Sequence, residues 1–367
     1  MRIALFADLH LDATFKWAPR EHARRRRDGL RRTLGRILEV AAGRKVDAIL
    51  CAGDLFEHER ITPDTEEFMR DAFRSVGRTP VYVAPGNHDW WCKGSPYQRL
   101  AWSPNVHIFG EESLEPEELT PGLVLWGAAH QRPAGTAGFL EHLRVHDPSH
   151  ATHVALFHGS HEQSFKLQGD SKQPHAPFRE EQIRAVGLTH AFVGHYHTPS
   201  VDRDFTYPGN PDPLTFGEDG ERGVVIAEIG QDGSVIRETV KVATTRLGEV
   251  VVDVTGISHR DDILDQVREA AESGCEFVRV TLTGELSPSI DLRHSDVHAC
   301  LGDGVAVVVR RRDLRTAYDL GAIAREPTVR GQFVEDVQRA GLPDEETRRV
   351  LTIGLRALEG RTDLEVL

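Results

Sequence analysis

The sequence predicts an α/β protein: a parallel or mixed sheet with covering helices, then a small α+β unit and a helical tail. Three observations carry this. Strand-like and helix-like segments alternate through residues 1–245, opening on a βαβαβ rhythm. Residues 246–325 repeat strand and helix signals on a smaller scale. In residues 326–367 the apolar positions keep only helical spacing.

The elements follow in order. Ile3-Ala4-Leu5-Phe6-Ala7 is a buried strand. Leu30, Leu34, Ile37, Leu38 and Ala41 recur at helical spacing. Asp47 to Cys51 is the next strand, Thr65 to Val76 a helix with Phe68, Ala72 and Phe73 on one face, and Pro80 to Ala84 a third strand. Strands are also expected at Leu123–Trp126, Thr152–Phe157, His190–Val193 and Gly223–Ile229. Asp232-Gly233 then signals a hairpin into Val235-Ile236. From Arg246 onward, Val250–Val254 reads as a strand and Asp261–Glu272 as a helix. Val278, Val280 and Leu282 alternate with polar residues at the period of a half-buried strand, and Val305–Val309 ends the unit. In the tail, Phe333 and Val337 share a helix face and Gly341 stops that helix. Pro343 with Asp344, Glu345 and Glu346 starts another, striped by Val350, Leu351, Leu355 and Leu358.

Composition narrows the function classes. The 367 residues are 39% hydrophobic and 28% charged, enough for a full core. No run approaches 18 apolar residues, so no membrane span is expected. Met1 to Phe6 runs straight into Asp8 and reads as a strand of the mature protein rather than a leader. Four cysteines without a C-x-x-C pair suggest neither a zinc knuckle nor a disulfide framework, and a cytoplasmic location is expected. A net charge of −13 argues against nonspecific coating of nucleic acid. One basic run departs from that: Arg20, Arg24, Arg25, Arg26, Arg27, Arg31, Arg32, Arg36, Arg44 and Lys45. It reads either as a solvated helix face or as a phosphate-contacting ridge.

Chemistry concentrates in short polar signatures, most of them directly after apolar runs: Asp8-Leu9-His10, Gly53-Asp54, Gly86-Asn87-His88-Asp89, His158-Gly159 and Gly194-His195-Tyr196-His197. Asp-x-His and His-x-His put both side chains on one side if the backbone is extended. The set Asp8, His10, Asp54, Asn87, His158, His195 and His197 is too large for one tetrahedral site. It fits two metals sharing one carboxylate, about 3.5–4 Å apart. Oxygen and nitrogen ligands without thiolate indicate manganese, iron, magnesium or zinc rather than copper.

This series of motifs resembles the calcineurin-like metallophosphoesterase superfamily. The resemblance implies a four-layer αββα sandwich of two mixed sheets. It implies that Asp8, His10, Asp54 and His197 hold one metal and that Asp54, Asn87, His158 and His195 hold the other, with Asp54 bridging. His88 would stabilise the transition state and protonate the leaving oxygen, and Asp89 would orient His88. Two divalent ions would lower the pKa of a shared water, so that hydroxide attacks phosphorus in line.

Within the superfamily, Asp8-Leu9-His10-Leu11-Asp12 with Phe15, Gly53-Asp54-Leu55-Phe56 and the stretch Tyr207-Pro208-Gly209-Asn210-Pro211-Asp212-Pro213-Leu214-Thr215-Phe216-Gly217-Glu218 resemble the bacterial DNA-repair exonuclease branch (SbcD-like). That branch implies a manganese-dependent 3′–5′ exonuclease or endonuclease acting on DNA. It further implies a homodimer, using helices such as Thr65–Val76, and an SMC-type ATPase docked on the C-terminal helices. The second unit would then be a DNA-binding cap. Candidate DNA contacts are His58, Arg24, Arg25, Arg27 and Arg31. Asp12 and Asn210 depart from the branch, where Gly and Ser are common. Glu57 stands where some relatives have His. The alternative is a small-molecule phosphodiesterase or phosphatase on the same metal pair.

Overall fold

The computed structural model describes residues 1–146, 151–166, 174–218, 220–302 and 305–361. Met1–Thr245 and Arg246–Leu367 form two compact units.

In the first unit, β1 (Arg2–Phe6), β2 (Ala48–Cys51), β3 (Val81–Val83) and β4 (Val106–Ile108) run parallel. β11 (Gly223–Ile229) pairs antiparallel with β1 and with β12 (Val235–Lys241), giving the order β12-β11-β1-β2-β3-β4. A second sheet has the order β5-β6-β7-β8-β10-β9, from β5 (Glu115–Thr120), β6 (Leu123–Gly127), β7 (Thr152–His158), β8 (His190–Gly194), β9 (Ser200–Val201) and β10 (Phe205–Tyr207). Its inner strands are parallel, and β5 and β9 are antiparallel edges.

The strand period of two builds the layers. Ala4, Phe6, Ile49, Cys51, Val81 and Val83 pack under α1 (Arg20–Gly43) and α2 (Pro63–Ser75), against Leu30, Leu34, Ile37, Met69 and Phe73. Their neighbours Ile3, Leu5, Ala48, Leu50 and Tyr82 face the other way, onto Leu125, Val154, Leu156 and Phe192 of the second sheet. The far side of that sheet, including Ala155, Phe157, Ala191 and Val193, packs on Ile183 of α5 (Glu180–Ala185). The result is the four-layer αββα sandwich with two mixed sheets. Short α3 (Pro96–Arg99) and α4 (Glu162–Lys166) lie in the connections. Helix α2 starts at Pro63, ahead of the expected Thr65, because the Thr62 side chain caps the Thr65 N–H and proline suits the first turn.

The second unit is a three-stranded parallel sheet, β13 (Leu247–Asp253), β14 (Phe277–Leu286) and β15 (Ala306–Thr316). Its crossovers are α6 (Arg260–Ala270) and α7 (His294–Leu301). Val250, Val252, Ile263, Val267, Val280, Leu282 and Val297 share its core. The tail folds as α8 (Leu320–Ala324), α9 (Val329–Arg339) and α10 (Asp344–Leu358). Leu351 and Leu355 pack internally with Ile323, Val334 and Val337, with Val350 against them, while Leu358 is 46% exposed.

Candidate metal centre

Parallel strands end at a shared edge, where ligands collect in α/β sheets. Asp8 and His10 follow β1, Asp54 follows β2, and Asn87 and His88 follow β3. His158 is the last residue of β7, and His195 and His197 follow β8. The pleat is not what aligns the pairs. Asp8 (φ 54°), His10 (φ 50°), Asp54 (φ 51°) and His195 (φ 110°) all have positive φ, past the strand ends. The expected extended Asp-x-His and His-x-His backbones are therefore replaced by sharp left-handed turns. Such strained residues persist where surrounding structure holds them, and they cluster at functional sites. Gly86 is needed nearby, since a Cβ there would lie 2.3 Å from Asp54 Oδ1.

Asp54 stands at the middle. Its Oδ2 is 3.5 Å from His10 Nε2 and 3.3 Å from His158 Nε2. Its Oδ1 accepts the His88 backbone N–H at 2.8 Å. Asp8 accepts the His195 N–H at 3.1 Å. Ligand atoms of Asp8, His10 and His197 lie within 4.8 Å of one another, as do those of Asp8, Asp54 and His158, and of His10, Glu57 and His88. Asn87 Oδ1 joins through His158 Nε2 at 3.1 Å. The His195 ring lies 5.1 Å from that of His158.

The donors fit divalent cations. His158 Nδ1 is 2.9 Å from the Ala52 carbonyl, which can only accept, so Nε2 is the nitrogen left to bind. With His158 neutral, as a metal ligand must be, that Nε2 and Asn87 Oδ1 face each other as two acceptors, an arrangement a cation satisfies; a proton on Nε2 takes the cation's place otherwise. His10 Nδ1 is occupied by Glu57 at 2.8 Å, and His10 Nε2 is buried with no hydrogen-bond partner among the described residues. Burial opposes charging His158, yet the Asp54 and Asp8 carboxylates outweigh it and raise its pKa to about 9. The carboxylates thus favour positive charge at His158.

His88 sits at the rim with its side chain 45% exposed. Its partner is not Asp89. The Asp89 carboxylate is fully buried and accepts from the backbone N–H groups of Gly86 (2.6 Å), Leu55 (2.7 Å) and Asp54 (3.1 Å), and from the Tyr97 hydroxyl (2.5 Å). It ties the loops after β2 and β3 together, which consumes the oxygens that were expected to orient His88. Glu57 takes that place, 3.1 Å from His88 Nδ1. Burial works against a charged His88, but Glu57, Asp54 and Asp89 outweigh it and raise its pKa to about 9. Burial likewise opposes ionising Glu57, but hydrogen bonds from His10 and His88 hold it at about 2.

If His88 is the proton donor, activity falls as pH rises through its pKa. Glu57→Gln removes a charge that raises this pKa, so the alkaline fall of kcat/KM should move to lower pH. A pH–rate profile checks this; an unmoved alkaline limb would mean that Glu57 does not tune the donor.

The expected DNA contacts are only partly available. Arg24 and Arg25 are exposed on α1, and Arg27 is half-buried. Arg31 donates to Thr65 Oγ1 at 2.6 Å and lies over Phe68, joining α1 to α2. Arg26 is buried on Asp212. His58 is stacked 4.1 Å from Trp90, and its N–H donates to the His88 carbonyl at 2.9 Å, so it adjoins the rim. Three residues escaped the sequence reading. Glu57 stood out only as a departure from relatives that have His there, with no role assigned to it. Buried His130, held down at about 3 by burial, supports the His158 carbonyl at 2.8 Å. Glu218 meets His197 Nδ1 at 2.7 Å.

A Bacillus subtilis metallophosphoesterase, YhaO, uncharacterised in activity, is 26% identical over 305 residues, 76% of this chain and 70% of that one. The DNA double-strand break repair protein Mre11 of Methanopyrus kandleri is 27% identical over 300 residues, 73% of this chain, which spans 62% of that protein's length. Among solved structures, TT1561 of Thermus thermophilus aligns at 12% identity and a TM-score of 0.38 over 65% of this chain and 98% of that one, too distant to carry weight. Among the described residues, no helix is long and apolar enough to cross a membrane. Residues 1–199 match the model of the calcineurin-like phosphoesterases, and the chain belongs to that family of divalent-metal phosphoester hydrolases.

Proposed function

We propose that this protein is a two-metal phosphodiesterase whose substrate is DNA, cleaving as an exonuclease, an endonuclease or both. The observation that carries the chemistry is the position of Asp54, whose one carboxylate oxygen faces both His10 and His158. Asp8, His10, Asp54 and His197 would hold one ion, and Asp54, Asn87, His158 and His195 the other. When bound, the metal pair supplies neutralisation of the phosphate and lowers the pKa of water. Manganese is the proposed metal.

The remaining work falls to the chain. Glu57 fixes His88 through Nδ1, which leaves Nε2–H free to donate. It also keeps the imidazole protonated. His88 hands that proton to the departing oxygen as the P–O bond breaks. Asp89 holds the loops that place Asp54 and His88.

DNA as the substrate is supported by the likeness to the Methanopyrus repair protein, which extends over 73% of the chain, past the residues of the family model. Arg24, Arg25 and Arg27 on α1, with His58 beside His88, are the proposed phosphate and strand contacts. Homodimerisation, the second unit as a DNA-binding cap, and docking of an SMC-type ATPase on α9 and α10 belong to the same proposal. The exposed Leu358 is the part of the helical stripe left for such a contact.

The test is to incubate the protein with manganese, labelled single- and double-stranded DNA, and bis-p-nitrophenyl phosphate. Cleavage of DNA that is lost in His88→Ala is expected. Turnover of the small ester with no DNA cleavage, with or without an SMC-type ATPase, would contradict the nuclease reading and favour a small-molecule phosphodiesterase.

A further inference from the structure

The stretch Tyr207 to Glu218 contains no metal ligand, yet it closes around one. The Glu218 carboxylate divides its work between its two oxygens. Oε1 lies 2.7 Å from His197 Nδ1. Oε2 accepts from Asn210 Nδ2 at 2.6 Å, from the Leu214 N–H at 2.6 Å and from the Thr215 N–H at 3.4 Å. The carboxylate is thus fixed by three donors before it reaches the histidine.

The same loop grips the main chain of His197. The Asn210 N–H donates to the His197 carbonyl at 3.1 Å. The Arg222 guanidinium donates to that carbonyl and to Asn210 Oδ1. Gly209 has φ 69°, and a Cβ there would lie 2.6 Å from the His197 carbonyl oxygen. The glycine and the asparagine therefore serve the close approach of the loop to His197.

We propose that Glu218 is a positioning residue for the metal centre: it accepts the Nδ1 proton of His197 and so fixes Nε2 as the nitrogen facing Asp8 and His10. A carboxylate on the second ring nitrogen of a metal-binding histidine sets the tautomer, restrains the ring and raises the basicity of the coordinating nitrogen. His10 shares its carboxylate, Glu57, with His88, whereas Glu218 is joined to no other imidazole of the cluster. Glu218 therefore serves the ion held by Asp8, His10 and His197. This inference rests on the metal reading of the site and is independent of the substrate.

The experiment is calorimetric titration of the full-length metal-free chain with Mn²⁺, with melting of each metal-free variant as a control. Wild type should take up two equivalents. Glu218→Ala should weaken one equivalent about 10–100-fold and leave the other unchanged. Glu218→Gln, which keeps the side-chain length, should weaken the same equivalent less, and it serves as the test if the alanine variant does not fold. A structural effect of Glu218 would add to the loss caused by His197→Ala. The proposal instead predicts that Glu218→Ala costs no further affinity in a His197→Ala background. Wild-type affinity for both equivalents in the folded Glu218 variants, or additive losses in the double variant, would overturn it. A wild-type protein that binds no manganese would overturn the metal reading and this inference with it.

Discussion

Asp54→Ala is expected to lower hydrolysis of bis-p-nitrophenyl phosphate by at least about 10³-fold, since a metal pair contributes several kcal/mol of charge stabilisation. Asp54 Oδ2 faces His10 and His158, and its Oδ1 anchors the His88 backbone. Burial alone would favour the protonated carboxyl. The charge and hydrogen bond of His158, with His10 and His88, outweigh burial and keep its pKa well below the ordinary value. Under the proposed mechanism, substitution removes a ligand from both ions and loosens the proposed proton donor. An ion that binds the folded chain and not the unfolded one raises its melting temperature, and manganese should do so for the wild type. That rise should shrink in Asp54→Ala. His88→Ala separates the two roles: it should cost about 10²–10⁴-fold in rate, as removal of a general acid does. Its manganese-induced stabilisation should stay intact. Equal activity of Asp54→Ala and wild type would remove the two-metal mechanism.

Asp212→Ala should destabilise the first unit by about 3–5 kcal/mol, because it leaves a buried guanidinium without its counter-charge. The side chains of Arg26 and Asp212 are both 0% exposed. Arg26 donates to Asp212 Oδ1 at 2.9 Å, to the Pro213 carbonyl at 2.5 Å and to Thr245 Oγ1. Asp212 Oδ2 accepts from Thr33 Oγ1 at 2.7 Å and from the Thr244 N–H at 2.6 Å. These bonds tie α1 to the loop after β10 and to the segment after β12. Thermal melting should show a fall of roughly 6–20 °C, taking about 2–4 °C per kcal/mol for a unit of this size. Arg26→Met combined with Asp212→Leu should recover part of the loss, since an apolar pair replaces a buried ion pair without an orphaned charge. A fall within a degree or two for Asp212→Ala would show that the pair does not hold this junction.

The strands were legible where apolar residues run unbroken. Ile3 to Phe6 and Thr152 to Phe157 are buried on both faces, and such runs need no partner information. The missed elements are short or polar. Only one residue of α7, Val297, is buried, and Glu115–Thr120 has exposed charged and proline positions on an edge strand. The candidate ligands were legible because Asp, Asn and His recur at strand ends. Their geometry was not, since positive φ at Asp8, His10, Asp54 and His195 is set by packing around the loops. For the same reason Asp89 drew attention that belonged to Glu57: adjacency in sequence put Asp89 next to His88, while the turn points its carboxylate inward. The basic run was ambiguous because charge alone does not separate buried Arg26 from exposed Arg24 and Arg25. Tyr207 to Glu218 was visible as a signature, but its purpose emerges only from the contacts of Glu218 and Asp212.

The central claim is that one carboxylate joins two metal sites. Electron paramagnetic resonance of the chain titrated with Mn²⁺ tests it most directly. Two equivalents bound with an exchange-coupled signal, which is lost in Asp54→Ala, is the predicted result. A single equivalent, or two magnetically independent ions whose signal is the same in Asp54→Ala, would contradict the account.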